Sequence, residues 1–176
     1  MRLGLVLLIL LLFNPKLISA QVAFPDKCIG QWEGMMHIFQ KGILKDSVKI
    51  KFSVSPASNN QWNWKTEYIS EKFPLTKDYQ LKLDEKNNRY MVDEGAGVVL
   101  YDYLFGDKLY GVFETHNIML TSTYELTKDG ELIFEVTSGK RIEGKAEDEV
   151  RNFTVESVQR VIMRRMNPIS NKTKHS

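Results

Sequence analysis

Four side chains in this sequence are of the types that acid–base or metal chemistry needs: His37, Asp102, Glu114 and His116. Glu114 and His116 lie two apart in a stretch of strand character, so both would face one side of a sheet. A carboxylate beside an imidazole is a minimal unit for proton transfer, and His37 would add a third metal ligand. Nothing in the spacing brings His37 to the other two, and Glu114 and His116 are expected to end a strand at the solvent edge. Asp102 alternates with Val98, Leu100 and Leu104, an otherwise apolar face. A carboxylate there is paired, exposed at a barrel rim, or held for function; the rim is the expected place. Desolvation would raise its pKa. The chain has no G-x-S-x-G elbow, no H-E-x-x-H, no Gly-rich phosphate loop and no cysteine pair. The enzymatic alternative is therefore a hydrolase or isomerase built on the carboxylate–histidine group.

A second set of residues suits binding rather than reaction. Trp62, Trp64, Thr66 and Tyr68 share one face by alternation, with Asn63, Lys65 and Glu67 on the other. Ser122, Tyr124, Phe134, Val136, Ser157 and Gln159 also fall on inward faces. A sealed core would prefer purely apolar groups, because a buried unpaired polar group costs about 1–3 kcal/mol. Aromatic walls with a few polar groups describe a small-ligand pocket. The expected ligand contacts are Trp62, Trp64, Thr66, Tyr68, Tyr101, Tyr103, Ser122, Tyr124 and Gln159. The rings supply area with few rotatable bonds; Thr66, Ser122 and Gln159 orient a polar end. The partner expected is a small apolar or amphipathic molecule, with no catalytic residue, no metal ligand and no named cofactor. The alternative to a pocket is a filled core, whose polar groups bond one another or bound water, in an accessory or assembly protein that works through its surface.

These residues sit on segments that read as strands. Val48, Ile50, Phe52 and Val54 alternate with Lys49, Lys51 and Ser53, the period of two of a half-buried strand. Turn signals follow at Asn87-Asn88, Gly95-Ala96-Gly97, Gly106-Asp107 and Asp129-Gly130. Residues 22–27 read as an extended lead, 139–151 as a strand end, a loop and one helical turn, and 152–166 as a last long strand. About ten closely connected strands make an antiparallel meander, and closing the last onto the first removes its edges. The expected fold is all-β, an antiparallel up-and-down barrel, with a two-sheet sandwich second.

Residues 3–13, LGLVLLILLLF, follow Arg2 and precede Ile18-Ser19-Ala20. The run is shorter than the roughly 20 apolar residues a bilayer span requires. It has the pattern of a secretory signal peptide cleaved after Ala20. The layout expected is a leader (1–20), one barrel domain (21–166) and a flexible polar tail (167–176), secreted or periplasmic. No second apolar stretch follows, so no membrane span is expected in the mature chain. The leader holds two of the 24 basic residues and none of the 22 acidic ones, leaving the remainder formally neutral. That gives no basic footprint for nucleic acid. Cys28 is the only cysteine and reads as a small buried apolar group. Asn152-Phe153-Thr154 and Asn171-Lys172-Thr173 match the glycosylation acceptor pattern.

Gly30-Gln31-Trp32 at the start of the first strand, followed by Gly34, resembles the opening of the calycin superfamily: lipocalins, fatty-acid-binding proteins and nitrobindin-like barrels. The resemblance implies that Trp32 closes one barrel end with a last-strand arginine packed over it, and Arg160, Arg164 and Arg165 are the candidates. Nitrobindin-like barrels hold haem through a late histidine. The last strand here has none, and His175 lies in the tail.

Overall fold

The computed structural model describes residues 22–142 and 153–166. The expected leader, most of the polar 139–151 stretch and the expected tail lie outside the described residues. Alternation carries through ten strands: β1 (Gly30–Gln40), β2 (Ile43–Ser58), β3 (Gln61–Ile69), β4 (Leu75–Asp84), β5 (Arg89–Gly95), β6 (Val98–Phe105), β7 (Lys108–Thr115), β8 (Ile118–Leu126), β9 (Leu132–Arg141) and β10 (Phe153–Arg165). In β2, Ile50, Phe52 and Val54 are buried while Lys49 and Lys51 are exposed. Every strand pairs antiparallel with the next, and β10 returns to β1, so the sheet closes into a barrel rather than a sandwich.

The seam is zipped at both ends. Trp32 pairs with Arg165 and Gln40 with Ser157. Outside that ladder, the Met166 N–H donates to the Gln31 carbonyl at 2.8 Å and the Lys41 N–H to the Glu156 carbonyl at 2.8 Å. Gly34 permits the close approach, because a Cβ there would run into the Ile162 carbonyl of β10. The expected turns are present, with Asn88 left-handed after one 3-10 turn (Glu85–Asn87) between β4 and β5.

Two local expectations are corrected. The lead to the barrel is not extended but a short helix, α1 (Phe24–Cys28). Pro25 sits in its first turn, where a missing N–H costs nothing. Phe24, Pro25 and Cys28 bury their side chains, so packing holds five residues that could not be helical alone. Glu114 and His116 do not share a strand face: β7 ends at Thr115, and His116 and Asn117 (φ 50° and 62°) form the tight turn to β8.

Helix α1 closes one end of the barrel. The Trp32 indole N–H donates to the Cys28 carbonyl at 2.8 Å, and Trp62 Nε1 donates to Asp26 Oδ1 at 2.7 Å. Arg165 lies 4.3 Å above the Trp32 ring. Its guanidinium also donates to the Lys27 carbonyl at 2.9 Å and to the Ile29 carbonyl. Arg165 is thus the arginine that covers Trp32, and it clamps the carbonyl end of α1. Leu81, Leu109, Leu132, Val161 and Met163 complete this floor with little or no exposure. Burial pushes the Cys28 thiol up to about 12 against the opposing pull of Arg165 and Lys27.

Candidate functional site

The opposite end, where β1 meets β2 and β3 meets β4, has no such plug among the described residues. Between it and the floor lies a cavity of about 90 Å³. Its wall comes from seven consecutive strands, β3 to β9. Apolar side chains Val92, Leu100, Phe113, Leu120, Phe134 and Val136 make most of it, with Tyr68, Tyr79 and Tyr124 adding rings that end in hydroxyls. The polar members are Thr66, Ser122 and Asp102 inside, and Lys77 and Glu94 toward the mouth. The space admits a small group, since ligand pockets usually run to roughly 300–1,000 Å³. A second hollow of about 590 Å³ opens at the same end, lined by Gln40, Ile43, Lys45, Ile118, Ser138 and Ser157 among others. The two spaces abut along β8 and β9: Leu120 and Val136 line the inner one, Ile118 and Ser138, the next inward positions, the outer.

Tyr124 is the centre of the wall. Its ring stacks on Phe134 at 4.4 Å and Phe52 at 5.6 Å, and meets Trp64 edge-on at 5.1 Å. Burial pushes its phenol far upward, and the Trp64 indole N–H and Thr66 hydroxyl, which face that oxygen, oppose the shift. Trp64 Nε1 nevertheless completes no hydrogen bond of normal geometry. Tyr79 is pushed up to about 12 by burial and by Glu94 beside it.

Asp102 is 2 % exposed, so it is not at the rim as expected. Its carboxyl is pushed up to about 6, and desolvation is the cause. The room comes from β7: Gly111 pairs with Asp102 across the ladder, and a Cβ on Gly111 would collide with Asp102 Oδ1. Ser122 pairs with Gly111 from the other side. Thus Asp102, Gly111 and Ser122 form one polar row across β6, β7 and β8.

Of the nine expected contact residues, Thr66, Tyr68, Ser122 and Tyr124 line the cavity. Trp64 backs it through Tyr124. Trp62 belongs to the floor. Gln159 shares the inward face of β10 with buried Val161 and Met163 but lies outside the cavity wall. Tyr101 and Tyr103 are corrected: they are 48 % and 47 % exposed on the outside of β6, because burying Asp102 turns both its neighbours outward. The wall residues passed over were Lys77, Tyr79, Val92, Glu94, Phe113 and Leu120, each on the inward alternation of its strand.

The carboxylate–histidine group is not assembled. His37 is exposed on β1, with Nδ1 2.9 Å from Ser47 Oγ. His116 lies in its turn against Thr115 Oγ1, and Glu114 is exposed, while Asp102 is inside the barrel. Among the described residues, no three His, Cys, Asp or Glu side chains converge as a metal site.

No protein-family model matches this chain, and no curated protein resembles it in sequence. Solved structures do match in shape. The S-type phycobiliprotein lyase CPES of Guillardia theta superposes with a TM-score of 0.61 at 7% identity, over 82% of this chain and 92% of that one. A variant of the fluorescent protein UnaG gives 0.50 at 21% identity, over 81% and 99%. A protein of unknown function from the DUF3598 family of Nostoc punctiforme gives 0.55 at 9% identity over 80% of this chain, which spans only 48% of that one. At these identities the likeness is one of fold, and the fold is a closed, lipocalin-like antiparallel β-barrel.

Proposed function

We propose that this chain is an exported, non-catalytic binding protein that takes a small, partly apolar ligand into its barrel. Its layout would be a leader (1–20), one barrel domain (21–166) and a polar tail. The observation that carries the reading is the ring-walled cavity with a desolvated carboxyl inside it that pairs with no cation among the described residues, below a larger hollow at the same end. A phycobiliprotein lyase and a fluorescent protein share the barrel, which adds support. The inner space would hold one end of the ligand and the outer hollow the remainder.

Tryptophan emission gives the test, since Trp64 touches Tyr124 in the cavity wall. Titration with fatty acids, haem and retinoid-like compounds should quench or shift the emission for at least one class. A flat response across the panel removes the reading. Export is tested separately: the full chain expressed in a secreting host should appear outside the cytoplasm with a mass starting at Gln21, and an intracellular product retaining residues 1–20 refutes it.

One observation favours the filled-barrel alternative. The outer face of β6 and β7 exposes Tyr101, Tyr103, Phe105, Tyr110 and Val112 side by side, and such patches mark interaction surfaces. An accessory role would be supported if Tyr103→Ser with Val112→Ser abolished a self-association or partner interaction while the ligand panel stayed flat.

A further inference from the structure

We infer that the inner cavity is the seat of a cationic head, a protonated primary amine on a slim apolar chain, anchored by Asp102. The inference rests on the ligand-binding reading above and names the chemistry of the end that enters first.

Asp102 lies in the middle of β6, inside the barrel and 98 % shielded, and among the described residues no cation pairs with it, so desolvation alone accounts for its raised carboxyl. Buried carboxylates are ordinarily paired, because an isolated one is costly. Here the fold reserves space for the unpaired group, since Gly111 withdraws its side chain from the position that Asp102 Oδ1 fills. Ser122 supplies a hydroxyl beside the same slot.

The rest of the wall has the matching electrostatics. The rings of Phe134, Phe113 and Tyr68 line the space, and a cation seated over an aromatic ring is attracted more strongly where water is excluded. The lining carries two carboxyl groups, Asp102 and Glu94, against one ammonium, Lys77 at the mouth. A carboxylate ligand would be driven against Asp102, while an ammonium would complete the missing pair. The volume of about 90 Å³ suits an ammonium with a few carbons better than an aromatic nucleus, which fills an engineered cavity of about 150 Å³. The tail would then leave past Leu120 and Val136 toward the outer hollow.

Three probes of one length isolate the head group: n-hexylamine, 1-hexanol and hexanoate, titrated calorimetrically into the full mature domain. Hexylamine should bind tighter than the other two. Asp102→Asn should weaken hexylamine on the order of tenfold to a hundredfold, the value of a charged hydrogen bond, and leave hexanol unchanged. If Asp102→Asn fails to fold, the wild-type protein supplies the reading: hexylamine affinity should fall as pH drops below about 6, while hexanol affinity stays flat. The other titratable groups inside are Tyr68 on β3, Lys77 and Tyr79 on β4, Tyr90 and Glu94 on β5, and Tyr124 on β8, and Glu94→Gln serves as the control for the remaining carboxyl. Hexanol or hexanoate binding at least as tightly as hexylamine overturns the amine assignment and leaves the carrier reading standing. Binding of none of the three also removes the assignment, and only a flat response to the wider ligand panel removes the carrier reading with it.

Discussion

Replacing Asp102 by Asn should stabilise the protein at neutral pH and do so progressively less in acid. The carboxyl is raised from 3.8 to about 6 by desolvation. The folded state therefore holds its proton over a range where the unfolded chain has lost it, and stability falls as pH rises from about 4 to about 6, then levels off. At about 1.4 kcal/mol per pH unit, the ionised side chain costs the fold about 3 kcal/mol above pH 6. About 2 kcal/mol of that difference falls between pH 4 and pH 7.5, because the unfolded group is already part-ionised at the lower value. Glu33, Asp84 and Asp93 tilt the opposite way, held low by Lys49, Asn87 and Lys82, but they are common to both proteins and cancel in the comparison. Urea unfolding followed by tryptophan emission at pH 4.0 and 7.5, with equal m-values required, measures the gap between variant and parent. It should be wider at pH 7.5 by about 2 kcal/mol. Equal gaps at the two pH values would mean that Asp102 is not desolvated in the folded protein, and the argument for a cavity carboxylate would fail.

Other perturbations test the closure of the barrel. Arg165→Met removes the cation over Trp32 and two donations to the Lys27 and Ile29 carbonyls; it should destabilise by about 2–3 kcal/mol and red-shift the Trp32 contribution to emission, both read in one urea titration. Gly34→Ala places a Cβ against the Ile162 carbonyl, where neither backbone can yield without breaking the seam; a loss of more than about 3 kcal/mol or failure to fold is expected, and near-native stability by circular dichroism melting would contradict the register. Cys28, buried with its thiol pushed up to about 12, should resist Ellman's reagent in the native state and react in urea. Rapid native labelling would show that α1 does not seal the floor.

The barrel was legible because alternation is a local signal with a global consequence. Ile50, Phe52 and Val54 set the register of β2, and the same period repeats until β10 must meet β1. The Gly30-Gln31-Trp32 opening pointed to the covering arginine, and register selected Arg165 over Arg160 and Arg164. What escaped was decided by packing. Five residues of α1 carry too little periodicity to read as a helix. At Tyr101-Asp102-Tyr103 residue type pointed one way and alternation the other: rings suggested contacts and the carboxyl a rim, whereas the inward face of Leu100 and Leu104 required Asp102 to turn in. The deciding residue, Gly111, lies on another strand, and only pairing shows that its missing side chain makes room for the carboxyl.

The two ends of this barrel are built for different work, and that asymmetry orders the residues by role. At the floor every strong donor has a partner: Trp32 on Cys28, Trp62 on Asp26, Arg165 on two carbonyls. Halfway up, among the described residues, Trp64 Nε1 behind the cavity wall completes no hydrogen bond of normal geometry, and Asp102 in the wall pairs with no cation. A buried polar group without a full set of partners costs stability. Unpaired polar groups facing a cavity are what remains when part of the hydrogen-bonding belongs to a molecule that comes and goes. Substitutions at the floor should therefore change stability and leave ligand response intact, whereas Asp102→Asn and Ser122→Ala should weaken ligand response without lowering stability at neutral pH. A row variant that lost stability and binding in proportion would place those residues in the core rather than in a site.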